Sequence, residues 1–170
     1  DNKQKLKYEK IKHTLKLNTD KQNIILITGL PGSGKTYLSK KLEDKYKYEY
    51  LSKDKYNGIS SKLLKNKLKN LISDGKSVII EGLMYTNDQR EQYLDIAKDY
   101  NKYIIIMKTD MNLAFHLNTF RFLNDNGKLI PKVVYHTYNK YFEEPNISKY
   151  DKTFEYHPKI NKEINKYFLS

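Results

Sequence analysis

The sequence predicts an α/β fold with a mainly parallel central sheet flanked by helices. Three observations predict it. Short apolar runs recur at Ile24–Thr28, Ser77–Gly82 and Lys102–Thr109, and continuous runs of this kind mark strands buried on both faces. Between them lie segments with apolar residues at helical spacing, such as Leu63, Leu64, Leu68, Leu71 and Ile72, the pattern of one buried helix face. The first run leads straight into a glycine-rich turn and then a helix, and strands that alternate with helices build parallel sheets.

Taken in order, residues 1–22 are lysine-rich with sparse apolar positions, a basic N-terminal arm or a short helix. Ile24–Thr28 is the first strand of the domain, and a helix runs from about Ser33 to Asp44. "YKYEYLS", Tyr46–Ser52, alternates and reads as the second strand. The Leu63–Ile72 helix ends at Gly75, where a left-handed residue closes a helix well. Ser77–Gly82 is the third strand. "NDQREQYLDIAKDY" is a helix with Asn87 or Asp88 as its cap. Lys102–Thr109 is the fourth strand, and Asp110 caps the helix "MNLAFHLNTFRFL". Asn124–Lys128 is a loop, Pro131 starts a short helix through Tyr141, "KTFEYH" is a last, weaker strand, and Ile160–Leu169 a closing helix.

The 170 residues make one domain of ordinary size. Residues 23–170 form that single domain, with no repeat and no interdomain linker. No apolar stretch approaches the length of a membrane span, and the charged N-terminus has no hydrophobic region behind it, so it is not a secretory leader. With no cysteine, disulfides, thiolate metal sites and cysteine catalysis are excluded, which fits a reducing interior, cytoplasmic or nuclear. Thirty-two Lys+Arg against 20 Asp+Glu give a formal charge of +12. A field of that sign attracts polyanions, although lysine dominates it and a compositional bias toward Asn, Lys, Ile and Tyr explains it equally well.

The strongest signal is Gly29–Thr36, "GLPGSGKT", a full G-x-x-x-x-G-K-[ST] in its proper strand–turn–helix context. Gly29, Leu30, Pro31, Gly32, Ser33 and Gly34 form the phosphate-binding turn, whose glycines let backbone N–H groups point inward around phosphate oxygens. Lys35 reaches the β- and γ-phosphates of ATP and Thr36 takes a place on Mg²⁺. This is the P-loop of the P-loop NTPase fold. The chain is small for an ATP-driven motor. A guanine-selecting N-K-x-D is missing, since "YNKYI" holds Asn101 and Lys102 without the aspartate. A P-loop kinase remains.

Such a kinase needs an acid near the acceptor hydroxyl and cations on the moving phosphoryl. Asp54 follows the second strand and is the first candidate for base. Glu81 ends the third strand, in the crevice at the strands' carboxyl ends, where it holds Mg²⁺ through water, touches the acceptor, or serves as a structural acid capping a neighbouring loop. The two arginines are Arg90 and Arg121. Arg121 lies where a lid over ATP would be, and Arg90 has a plain surface role at least as readily as a catalytic one. His116 is a packing or hydrogen-bonded residue.

The chain resembles the 5′-hydroxyl polynucleotide kinases, especially the kinase domain of the bifunctional polynucleotide phosphatase/kinases of DNA end repair, over about residues 24–157. "SKDKYN" is similar to the segment whose aspartate activates the 5′-hydroxyl, which implies that role for Asp54. "FHLNTFRFLND" is similar to the lid segment, which implies Arg121 as a clamp on ATP. "LIPKVVYHTYNKYFEEP" is similar to a third stretch, matched at Pro131, Val134, Tyr138, Phe142, Glu143 and Pro145. The chain departs from the family at Thr119, where a second lid arginine is usual. Glu81 and Gly82 stand where the family has D-x-T/N-N, and Asn57 where phage relatives have an arginine. The resemblance implies ATP and Mg²⁺ as cofactors, the 5′-OH end of DNA or RNA as acceptor, and a phosphatase or ligase domain or partner in the same pathway. A monomer is expected, with Lys53, Lys55 and Lys62 on backbone phosphates. The competing readings are a nucleoside- or sugar-directed P-loop kinase and a non-catalytic nucleic-acid-binding module.

Overall fold

The computed structural model describes residues 9–10, 17–125 and 128–157. Among the described residues, six strands form one sheet: β1 (Glu9–Lys10), β2 (Asn23–Thr28), β3 (Glu49–Ser52), β4 (Val78–Gly82), β5 (Asn101–Met107) and β6 (Lys152–Tyr156). Their order is β1-β6-β5-β2-β4-β3 and every pairing is parallel. The helices are α1 (Lys35–Tyr46), α2 (Ser61–Ser73), α3 (Asn87–Leu94), α4 (Met111–Asp125) and α5 (Lys132–Tyr141). Residues 1–8, 11–16 and the expected closing helix lie outside the described residues, so the reading of 1–22 as arm or helix meets the structure only at β1 and from Leu17 onward. No helix among the described residues is long and apolar enough to cross a membrane.

The period of two along the strands divides the core. Ile24, Leu26, Val78, Ile80, Ile104 and Ile106 face α2 and α3, joining Leu64, Leu68 and Leu94. Ile25, Ile27, Ile79, Tyr103 and Ile105 face α1, joining Leu38 and Leu42. Both faces are covered, which is why the central strands read as continuous apolar runs. A third cluster of Leu30, Ala114, Tyr135 and Tyr138 ties α4 and α5 to the glycine turn. The central position of β2 matters most. It is flanked by β4 on one side and β5 on the other, so the crevice at the sheet's carboxyl edge opens where β2 ends.

Local chemistry moved several boundaries. α1 continues through Tyr46, Lys47 then turns left-handed at φ 58° with its N–H on Glu43 O, and β3 starts only at Glu49. α2 ends as expected: Gly75 has φ +68°, and the N–H of Lys76 and of Gly75 reach Leu71 O and Ile72 O at 3.0 Å each, a Schellman closure. The cap of α3 is Thr86, neither Asn87 nor Asp88. Its Oγ1 accepts from the Gln89 N–H while the Gln89 side chain accepts from the Thr86 N–H, a reciprocal capping box. Asp110 does cap α4, accepting from the N–H of Asn112 at 2.9 Å and of Leu113 at 3.2 Å. α4 runs through Asp125, into the segment expected to be loop.

Candidate active site

The turn after β2 is shaped by close packing as much as by flexibility. A Cβ on Gly32, at φ +76°, would lie 2.3 Å from Ala114 O, and one on Gly29 would lie 2.6 Å from Met107 Cβ. No side chain fits at either place, so the loop packs backbone-first against β5 and α4. Gly34, at φ 92°, then turns the chain into α1, whose N-terminal N–H groups and partial positive charge face the crevice.

Lys35 is buried beneath this loop. Its ammonium donates to Gly29 O at 2.7 Å and Leu30 O at 2.8 Å. Burial pulls its pKa down to about 8, Glu81 and then Asp54 oppose that, and Arg121 adds to it. Four ionic groups from four segments therefore share one electrostatic neighbourhood. Ser33 Oγ is buried with no hydrogen-bond partner among the described residues, a polar atom left over inside a phosphate-shaped loop.

Glu81 sits at the end of β4 beside both Ile27 and Ser52 in register, between β2 and β3. Its Oε1 accepts from Thr36 Oγ1 at 3.0 Å, and its Oε2 from Ser39 Oγ at 3.2 Å and from the Tyr50 hydroxyl. Burial first, and then the Glu81 charge, push the Tyr50 phenol well above its ordinary value, keeping it a neutral donor. The pair of Thr36 hydroxyl and Glu81 carboxylate is an all-oxygen donor set. It suits Mg²⁺, which takes one or two protein oxygens and fills the rest with phosphate and water.

Asp54 is exposed and opens a single 3₁₀ turn, Asp54–Tyr56, directly after β3. Asn57 ends that turn left-handed at φ 58°, a conformation that asparagine tolerates. Arg121 is exposed on α4. Lys35, Thr36, Asp54, Asn57, Glu81 and Arg121 all line one cleft of about 1530 Å³. Thr119 does not line it, and its Oγ1 folds back onto Phe115 O at 2.9 Å.

Some expectations change here. Arg90 is no surface residue: it is 0% exposed and donates to three backbone carbonyls and to Asn87 Oδ1. Lys55 Nζ is tied to Tyr50 O at 2.8 Å, and Lys62 does not reach the cleft. Lys53, the third of the expected lysines, does line it, together with Lys40, Lys65 and Lys128. In the "LIPKVVYHTYNKYFEEP" stretch, Ile130, Pro131 and Val134 reach the cleft, whereas Tyr138, Phe142, Glu143 and Pro145 do not. The cleft's Gln89, Gln92 and Tyr93 were not singled out from sequence. Their signal is the i, i+3 and i, i+4 spacing on α3, legible only once the helix's orientation is known.

Fold and loop together define a P-loop kinase domain. A family model described as an AAA domain matches residues 24–145, and the chain belongs to that family. The chain is 28% identical over 133 residues to a bifunctional polynucleotide phosphatase/kinase of Schizosaccharomyces pombe, covering 77% of this chain and 32% of that protein. It is 33% identical over 144 residues to an Acanthamoeba polyphaga mimivirus protein provisionally given the same name, covering 82% of this chain and 33% of that protein. The chain thus spans about a third of the length of these curated relatives. Among solved structures, a provisionally named kinase of Chloroflexus aurantiacus J-10-fl shares the fold, with a TM-score of 0.63 at 15% identity over 88% of this chain and 97% of that one.

Proposed function

We propose that this domain is an ATP-dependent polynucleotide 5′-hydroxyl kinase, acting on DNA or RNA ends. The observation that supports it best is the continuity of the cleft. It runs from the phosphate loop past Asp54 to the α2–α3 rim, and Lys53 and Lys65 line that side, where the phosphates of a strand would meet them. The names of the two curated relatives point to the same acceptor.

In this reading the loop N–H groups and Lys35 hold the donor's phosphates, and the acceptor end enters on the β3 side. Asp54 takes the proton from the 5′-hydroxyl as its oxygen bonds to the γ-phosphorus and the bond to the β,γ-bridging oxygen breaks, releasing ADP. Lys35 and Arg121 balance the charge on the transferring group. Thr36 and Glu81 would hold Mg²⁺, which would supply positive charge to offset that of the donor's phosphates. Lys53 and Lys65 contact backbone phosphates without reading bases.

The test is transfer of labelled γ-phosphate to 5′-OH DNA, RNA, nicked duplex and free nucleosides. Oligonucleotides should be labelled, and Asp54→Asn should lower the rate by about 10²–10⁴-fold, the range expected for a general base. Near-full activity in that variant removes Asp54 as base. Labelling of a nucleoside or sugar but of no oligonucleotide moves the acceptor to a small molecule.

A further inference from the structure

The cleft makes no use of Phe142, Glu143 or Pro145, yet this segment is densely bonded to something else. It grips the back of the loop that follows β4. Arg90 Nε donates to Met84 O at 2.7 Å, Nη2 to Tyr85 O at 3.1 Å and Glu143 O at 2.7 Å, and Nη1 to Asn87 Oδ1 at 3.1 Å. The guanidinium also lies 5.1 Å from the Phe142 ring centre. Asn87 is the second hub: its Oδ1 accepts from the Asn146 N–H at 3.1 Å, its Nδ2 donates to Glu144 O at 3.0 Å, and its N–H donates to Glu143 Oε1 at 3.2 Å. The Glu143 N–H closes the circuit on Tyr85 O at 2.7 Å.

The gripped loop needs holding. Met84 has φ +35°, a conformation that strains a bulky residue and persists only where its surroundings enforce it. Leu83, Met84 and Tyr85 line the cleft together with Asp54, Gln92 and Tyr93, on the side assigned to the acceptor. The donor side has its own interactions, Lys35 on the loop carbonyls and the hydroxyls on Glu81, and it meets the gripped loop at Thr28, whose Oγ1 donates to Leu83 O and, at 3.3 Å, to Met84 O.

We infer that Arg90, Asn87 and Glu143 form a clasp that fixes the acceptor-side loop Leu83–Tyr85, with Arg90 as a positioning residue for acceptor binding. This rests on the phosphoryl-transfer reading above. Arginine is required because a rigid fork must serve carbonyls from two separate segments, which a single ammonium does not do. The clasp also gives the "FEEP" residues a purpose: they shape the acceptor site from behind.

Two variants test it. Arg90→Lys removes the fork. Asn87→Ala cuts the bridge while leaving the guanidinium and its three carbonyl acceptors in place, and so keeps the test available if the first variant is poorly folded. Both should raise KM for a 5′-OH oligonucleotide by about tenfold or more while KM for ATP stays within about twofold. In the free chain, amide hydrogen exchange at Glu143 should quicken in Asn87→Ala, while exchange in α1 and β2 stays unchanged. A parallel rise of both KM values overturns the inference, as does unchanged exchange at Glu143. If the wild-type chain labels no polynucleotide, the proposed function fails, and the exchange result alone decides the clasp.

Discussion

Lys35 carries a cost in the free chain that a bound polyphosphate removes. Its ammonium is buried on two carbonyls, and burial brings its pKa to about 8 from 10.5. Phosphate oxygens placed beside it stabilise the charged form and raise that value. The sign follows from linkage: above pH 8 the free chain has lost part of this proton and the complex retains it, so binding takes up a proton. Nucleotide affinity should therefore be insensitive to pH through this group below about 8 and weaken above it. Calorimetry at about pH 8.5 in two buffers of different ionisation enthalpy should reveal proton uptake. Equal heats in both buffers would show that Lys35 is already charged in the free chain. The placement of Lys35 was legible because motif and context fix it within one turn. Arg90 was not, because its burial depends on Glu143, 53 residues away, and no local pattern encodes that partner. Asp54 lies between these cases: its place at a strand end was readable, whereas its sharing a cleft with Arg121 required the packing of α4.

Element boundaries were legible wherever a local signal faced no rival. Gly75 stops α2 and Asp110 starts α4 because each supplies conformation or acceptor at the point needed. The β3 boundary shifted because Tyr46, Tyr48 and Tyr50 satisfy an alternating pattern and also a helix end, and Tyr46 and Tyr48 both pack beside the α1-side core. The α3 cap shifted by one residue for a similar reason. Asn87 and Asp88 are good caps in isolation, but Thr86 has Gln89 three positions on, and the reciprocal bond settles it. Thr86→Ala should cost about 1 kcal/mol, which for a domain of this size lowers Tm by about 2–4 °C. Asp88→Ala, which removes an exposed hydrogen bond from Gln92 at 2.8 Å and an acidic charge in the first turn, should cost about 0.5 kcal/mol or less. Thermal unfolding of the two variants side by side checks this. A larger loss in the Asp88 variant would move the cap back toward the expected position.

At the scale of the whole molecule, the charge of +12 was legible but its meaning was not, because a lysine-rich composition spreads cations everywhere. The fold makes the distinction by bringing Lys40 of α1, Lys53 after β3, Lys65 of α2 and Lys128 after α4 to one cleft, from four separate stretches of sequence. A single-stranded acceptor lying along Lys53 and Lys65 releases counterions, so log affinity should fall with log salt by about 0.7 for each phosphate neutralised. ATP is gripped mainly by loop N–H groups and the buried Lys35, so its KM should change less over the same salt range. Lys53→Gln combined with Lys65→Gln should flatten the oligonucleotide slope by about 0.7 for each phosphate no longer neutralised and leave KM for ATP nearly unchanged. A lysine away from the cleft serves as the control: Lys62→Gln should leave the slope where it was. If all three lysines contribute equally, the charge acts as a diffuse field and the cleft has no defined strand path. A flat salt response in the unmodified chain would favour a small-molecule acceptor, which brings no row of phosphates to the α2–α3 rim.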